Sequence, residues 1–465
     1  EYQLPSGIYY TYAVENTYLC IDKETKERQY NGNGQLEIVG AYYGTSDDYR
    51  DCLSRINHCD FFHWKKIYID DEIFPSSPST DEIEYLSLIY MNKDGLHMIS
   101  AAEKETLVYT KGKTDLKVED QSTCMLYGMK TLEFEQGMDC TWAGAMILAL
   151  NYMGETYTYE QIMGMSGACY RFAFCDVWDW SATDALVSYD YASILFKALG
   201  IQAVWANRLE KNEREQERER IVSDILHNKP VLAINLRIAP EWGVITGYGE
   251  GGKRLYCRTY FDREYLNEQE DYLESDYWPF LIQHFGEKQE ELSEIQRLIA
   301  SLQVMIDSFG ASCERGYYQG REGLEHWIDS LEQQNLWNEC AKEEDIERRL
   351  QVNDALLLNL ADARRCAGVY LNNCVPLLKS KEANMLSEIA QSYRSISESV
   401  LAFRKKINES NGKETCYNGS IHTKVTTNLR EEQIILLKEI VDKEQQLVEK
   451  AEYIRGKMKN KFKKE

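Results

Sequence analysis

The chain has 465 residues, of which 43% are hydrophobic, 12% aromatic and 28% charged, and it carries a formal net charge of −23. That length exceeds one ordinary core and implies two or three domains, and the charge argues against nucleic acid or an anionic membrane as the main partner, since either would repel it. Thirteen cysteines at irregular spacing read as reduced thiols rather than a disulfide framework, and no apolar run reaches the roughly 18 residues of a membrane-spanning helix.

The sequence starts at Glu1 with neither Met nor an apolar leader. A removed signal segment stays open on that ground, and a cytoplasmic protein is the expectation. Residues 1–127 mix aromatic and β-branched runs with turn signals, and many of the 32 tyrosines fall in this first half. Gly7–Tyr12, Leu36–Gly40, Lys66–Ile69, Tyr85–Tyr90 and Thr106–Tyr109 read as strands. Asn31–Gly34 reads as a turn and Pro75–Ser79 as a loop. The segment is expected to be a small α/β or mostly β domain with no motif tied to chemistry.

Residues 128–285 alternate helix and strand signals. Cys140–Met153 is an apolar helix stopped by Gly154, Thr158–Met165 is a short helix, and Tyr189–Leu199 is a helix stopped by Gly200. Ile201–Trp205 is a strand. The charged stretch Glu210–Arg220 is a solvated helix or loop, followed by amphipathic Ile221–His227. Val231–Leu236, Gly243–Tyr248 and Arg254–Tyr260 are strands, with a turn at Gly249–Gly252 between the last two.

Residues 286–465 differ in kind. Leu292, Ile295, Leu298, Ile299, Leu302, Met305 and Ile306 recur at helical spacing, as do apolar positions in Leu350–Leu371, Met385–Phe403 and Glu431–Lys457. A polar linker around Asn408–Asn428 precedes the last helix. This part reads as an α-helical bundle whose stripes are core packing.

The chemistry concentrates in Glu135–Ala145. Gln136 stands four residues before Cys140, and Cys140 opens the apolar helix. A thiol at a helix N-terminus feels the positive end of the helix dipole. A Gln amide beside it can donate to an oxyanion. The block Gln136–Gly154, followed by Glu160–Phe172, resembles the N-terminal motif of bacteriocin-processing cysteine peptidases. It is more similar still to the N-terminal domain of the butirosin-pathway acyltransferase family. The resemblance covers roughly residues 130–262, with a weaker echo in Tyr317–Trp327. It implies a papain-like central domain, so the expected fold class is α+β: an N-terminal small α/β domain (1–127), a papain-like domain (128–285) and a C-terminal helical bundle (286–465).

The resemblance further implies Cys140 as nucleophile, Gln136 as oxyanion donor and Asp262 as the residue orienting a base. In the related peptidases a His opens the strand that reads Trp242–Tyr248 here, but this chain has Glu241-Trp242 in its place. Without an imidazole nothing obvious protonates a leaving amine, whereas a thioester loses its thiolate without help. The leading expectation is therefore acyl transfer in specialised metabolism, from a thioester to an amine through Cys140. The protein would hold no bound cofactor. The acyl donor would arrive on the phosphopantetheine of an acyl carrier protein. Trp142, Tyr170, Phe172, Trp178, Glu241 and Trp242 are the candidate substrate-lining residues, although an aromatic core explains the Tyr170–Trp180 stretch equally well. A second reading is an inactive papain-like scaffold that binds a peptide, metabolite or protein, since an indole at 242 fills the base position. A peptidase comes third.

Among the remaining histidines, His227 is expected to cap a helix and His326 to belong to a bundle helix, while His58 or His63 could reach a site from the N-terminal part. Cys52, His58, Cys59 and His63 do not have the spacing of a zinc site, so no metal is expected. The basic tail Arg455–Lys464 reads as a solvated helix end. The residue pattern does not specify the oligomeric state.

Overall fold

The computed structural model describes residues 2–4, 7–10, 28–29, 36–45, 48–58, 66–70, 73–74, 83–92, 95–110, 115–119, 121–187, 189–263, 265, 272–337, 341–410 and 427–462. The protein is α+β, with several sheets and a helical C-terminal region. It divides into two compact units, 1–128 with 216–228 and 246–255, and 129–215 with 229–245 and 256–465.

The first unit is mostly β. Strands β1 (Tyr2–Leu4), β2 (Gly7–Tyr10) and β3 (Arg28–Gln29) form one small sheet. A four-stranded antiparallel sheet contains β4 (Glu37–Gly44), β5 (Tyr49–Asp51), β7 (Tyr85–Asn92) and β8 (Gly95–Ala102), in the order β5-β4-β7-β8. Between them in sequence come helix α1 (Leu53–His58) and β6 (Lys66–Tyr68). A third sheet joins β6 to β9 (Thr106–Thr110) and β10 (Asp115–Glu119). Alternation along β7 turns Leu86 and Leu88 inward, and a register shift between Ile38 and Gly40 lets β4 turn both Ile38 and Tyr43 the same way, into one core with Ile67 and Leu107 from the third sheet. The expected Asn31–Gly34 turn and Pro75–Ser79 loop lie outside the described residues, as do Cys59 and His63. Among the described residues no group of His, Cys, Asp and Glu is placed to hold a metal, and no helix is long and apolar enough to cross a membrane.

The second unit holds the Cys140 region. Helix α2 (Thr141–Tyr152) is buried almost all round, which its run of Ala, Gly and aliphatic residues permits. Helix α3 (Tyr159–Ser166) starts in a capping box: the Thr158 hydroxyl accepts from the Gln161 N–H and the Gln161 amide oxygen accepts from the Thr158 N–H. Helix α4 (Tyr191–Leu199) stops at Gly200, which is left-handed at φ 63°. The expected charged stretch after Glu210 is helical as α5 (Arg214–Leu226), which from residue 216 on belongs to the first unit. Strand β12 (Ala173–Phe174) lies outside the main sheet, which runs β13-β18-β14-β15-β16-β17, with β11 (Cys124–Met125) pairing β15 off that path and residues 246–255 belonging to the first unit. Its strands are β13 (Ile201–Asn207), β14 (Val231–Ile234), β15 (Trp242–Gly249), β16 (Arg254–Arg258), β17 (Leu273–Glu274) and β18 (Leu281–Lys288). Helix α2 packs on β14.

The C-terminal part supplies α6 (Glu294–Phe309), α7 (Gly320–Glu332), α8 (Glu343–Cys374), α9 (Ser380–Ser410) and α10 (Thr427–Phe462). Helices α8 and α9 pack together across the short turn Val375–Leu377, and α10 lies on α6, α7 and α9. Helix α8 also packs on α3. Gly164 allows this approach, since a Cβ there would come 2.0 Å from the Tyr370 ring.

Candidate active site around Cys140

Cys140 is the N-cap of α2. Its backbone is extended (φ −88°, ψ 100°) and its carbonyl accepts from the Gly144 N–H at 2.9 Å. The thiol is 1% exposed. Burial pushes its pKa up; the Arg171 guanidinium and the Ala143 amide in the first helical turn pull the other way, while Asp362 and Asp184 add to the rise. The dipole expected to favour thiolate is present, but desolvation outweighs it.

Two arcs of hydrogen bonds, joined by short steps along the backbone, lead from Cys140 and its neighbour Thr141 to Arg171. On the first, the Cys140 N–H donates to the Tyr159 hydroxyl at 2.9 Å, and that hydroxyl donates to Asp362 Oδ2 at 2.6 Å. Asp362 lies on α8, three residues after Asn359, whose Oδ1 accepts from Arg171 Nη2. On the second, Thr141 Oγ1 donates to Glu241 Oε2 at 2.7 Å. Next in sequence, Trp242 Nε1 donates to Asp184 Oδ1 at 3.3 Å. The carbonyl before Asp184, that of Thr183, accepts from Arg171 Nη1 at 2.9 Å. The ring therefore runs through α2, α3, α8, β15 and the segments around Arg171 and Asp184. Arg171 is 7% exposed, and its Nε has no hydrogen-bond partner among the described residues.

The electrostatics follow from burial of unlike groups. Glu241 is raised to about 7, first by desolvation and further by Asp184, against the Thr141 hydroxyl and Arg171. Asp184 is raised by burial, opposed by the Leu186 N–H, the Trp242 indole and Arg171. Asp139, just before the thiol, is raised to about 7 by burial and by the charge of Asp362. Arg365 braces the outer side, donating to Asp362 Oδ1 at 2.9 Å, the Gly137 carbonyl at 2.6 Å and Glu160 Oε1 at 2.7 Å. Tyr260 closes the cluster, its hydroxyl donating to the Met138 carbonyl at 2.6 Å. A carboxyl near 7 can take a proton from a thiol and return it at neutral pH.

The other expected site residues are placed as follows. Gln136 is exposed in the turn before Cys140, and its amide has no hydrogen-bond partner among the described residues. Asp262 is fully buried but committed locally: it accepts from Thr259 Oγ1 at 2.7 Å and the Thr259 N–H at 3.2 Å, and it pairs with Arg258. Those bonds secure the turn after β16. Trp142 is buried with its indole N–H on Gln283 at 3.1 Å. The Tyr170 hydroxyl meets Ser301 and its ring lies on Tyr393; Phe172 stacks on Trp327; Trp178 packs against Phe174 and Trp337. These three are an aromatic seam between the Cys140 region and the C-terminal helices. Trp242 is buried edge-on to Trp205.

Arg171, Asp184, Tyr159, Tyr260, Asn359 and Asp362 were not singled out from sequence. Arg171 had one signal, being the sole charge in Ala168–Phe174, an otherwise apolar and aromatic run. No protein-family model matches this chain, and no curated protein matches it.

Proposed function

We propose that the central part of the second unit is a papain-like fold and that the chain is a cysteine-dependent acyltransferase, moving an acyl group from a thioester to an amine through Cys140. The observation that carries this reading is the company of the thiol. An inert core cysteine sits among hydrocarbon; the Cys140 thiol feels Arg171, Asp362 and Asp184, while its own N–H bonds Tyr159 and the next residue, Thr141, bonds Glu241. Burying charged groups together is costly, and such clusters concentrate at functional sites.

In this mechanism Glu241 stands in for the absent His. It takes the thiol proton, and the sulfur attacks the thioester carbonyl. The resulting oxyanion collapses, expelling the donor thiolate, which takes the proton back from Glu241. The amine then attacks the Cys140 thioester, loses a proton and releases the amide, restoring the thiol. A phosphopantetheine thioester on a carrier protein is the donor class that fits a leaving group needing little acid.

The second reading, a binding scaffold of the same fold, draws on the burial of the Cys140 sulfur and the exposure of Gln136. Intact mass after incubation with acetyl-, malonyl- and octanoyl-N-acetylcysteamine separates the two. Acyl transfer requires an acyl adduct that disappears in Cys140→Ala. A chain that stays unmodified with all three thioesters is a scaffold.

A further inference from the structure

Among the described residues, Arg171 carries the one side-chain nitrogen of the ring that is buried without a hydrogen-bond partner. Its two terminal nitrogens are held by the Thr183 carbonyl and the Asn359 side chain, which fixes the guanidinium plane. Its backbone is anchored as well, because the Arg171 carbonyl accepts from Arg364 Nη1 at 2.9 Å. That leaves Nε–H buried and unpaired, a state that costs a charged donor more than a neutral one. The titratable groups facing Arg171 are Cys140, Tyr159, Asp362 and Tyr191, with Asp184 and Glu241 on the second arc. Of these carboxylates, Asp362 is engaged by Tyr159 and Arg365, and Asp184 by Trp242 and the Leu186 N–H. Glu241 is occupied by Thr141. None of them supplies the acceptor that Nε lacks.

We infer that Arg171 Nε–H is the anion-receiving group of the Cys140 site, binding a negatively charged oxygen on or next to the carbon that the sulfur attacks. It takes the part that Gln136, on the surface, does not take. The inference deepens the acyl-transfer reading and rests on it for the identity of the ligand. That oxygen has two sources: a carboxylate carried by the acyl donor, or the oxyanion formed when the sulfur adds to the carbonyl. A guanidinium N–H to an anionic oxygen is a strong, charge-assisted bond for either.

Paired alkylating agents test this without a substrate. Iodoacetate and iodoacetamide are near-isosteric, and only the first carries a carboxylate beside its reacting carbon. Rates at Cys140 are measured at pH 6.5 by peptide mass mapping, with exposed Cys313 as the internal reference. The iodoacetate-to-iodoacetamide ratio at Cys140 is expected to exceed that at Cys313 by about ten-fold, the worth of one charge-assisted hydrogen bond. Arg171→Gln should bring the ratio down to that of Cys313, and Arg171→Lys should recover part of it. A loosened fold would raise both rates at Cys140 toward those of Cys313, whereas loss of the anion site alone lowers the iodoacetate rate and leaves the iodoacetamide rate as it was. Equal ratios at Cys140 and Cys313 in the wild type, or a preference that survives Arg171→Gln, overturn the inference. So does a Cys140 that neither reagent reaches.

The thioester panel keeps the two claims separate. An anion preference with no acyl adduct retains Arg171 and removes acyl transfer; an adduct with no anion preference does the reverse. If Arg171→Gln slows malonyl transfer alone, the donor's carboxylate is the ligand. If acetyl and malonyl transfer slow alike, the ligand is the oxyanion.

Discussion

The Tyr260 hydroxyl stands where a side chain at Gly144 would be. A Cβ on Gly144 would come 1.9 Å from that oxygen and 3.0 Å from the ring carbon that bears it. Gly144 is in the first turn of α2, so the glycine lets the phenol reach the Met138 carbonyl beside the thiol. Gly144→Ala is therefore expected to destabilise the protein by about 1–3 kcal/mol through overpacking, despite the better helix propensity of Ala. Tyr260→Phe removes the closest clash, so the double variant should recover part of the loss in a urea denaturation cycle. Strictly additive losses would mean that the two residues do not compete for this space.

Asp139 gives a pH signature of unusual sign. Its folded pKa of about 7 is above the ordinary 3.8. Between those values the folded state holds more protons than the unfolded one, so stability falls as pH rises from about 4 to about 7. Asp139→Asn keeps an oxygen for the Glu135 N–H, which now donates to Asp139 Oδ1 at 2.6 Å. The variant is expected to gain on the order of 2 kcal/mol at pH 8 and little at pH 4. Urea midpoints at both pH values check this; an equal gain at both would remove the titration as its cause.

Arg364 and Glu444 form a buried pair between α8 and α10, bonded through Nε to Oε1 and through Nη2 to Oε2 at 3.1 Å. Glu444→Leu alone leaves a guanidinium buried without its counterion and should cost about 3–5 kcal/mol. Adding Arg364→Met should restore most of it, since the charge then goes too. Arg364 also bonds the Cys169 and Arg171 carbonyls. A double variant that refolds but loses the alkylation preference at Cys140 would trace Arg171's orientation to this pair. Thermal melts of the three variants read the stability part.

Lys66 is buried in the first unit, with its ammonium group on Cys124 Sγ at 2.9 Å and on the Ile225 carbonyl. Burial lowers its pKa below the ordinary 10.5, against the raising effect of Cys124 and Glu119. The unfolded chain then holds more protons above the lowered value, so stability climbs with pH until about 10.5, the ordinary lysine value. Lys66→Met should flatten that climb and raise the midpoint more at pH 6 than at pH 9. A uniform shift at both pH values would assign the effect to packing instead.

The legible parts of this sequence are those set by near neighbours. Gly154 and Gly200 marked the ends of α2 and α4, and the apolar stripes marked the long C-terminal helices, because capping and periodicity are local. Strand β18 was missed. Gln283 and His284 are polar in its centre, and both are buried, the first under the Trp142 indole, so no hydrophobic alternation announces the strand. At the site, Cys140 and the Glu241-Trp242 pair stood out in sequence, whereas Asn359 and Asp362 did not. They read as polar positions on an otherwise Leu- and Ala-rich helix. Their partners Arg171 and Tyr159 lie about two hundred residues upstream, and a bond across that separation leaves no pattern along the chain.

The closure of the ring by α8 has a consequence for biogenesis. Until residues near 360 have been synthesised and docked, the sulfur at 140 has neither the Tyr159–Asp362 link nor a fixed Arg171 beside it. A nascent polypeptide that has completed only its sheets thus lacks both links, and the surroundings of Cys140 are completed late, when the helices arrive.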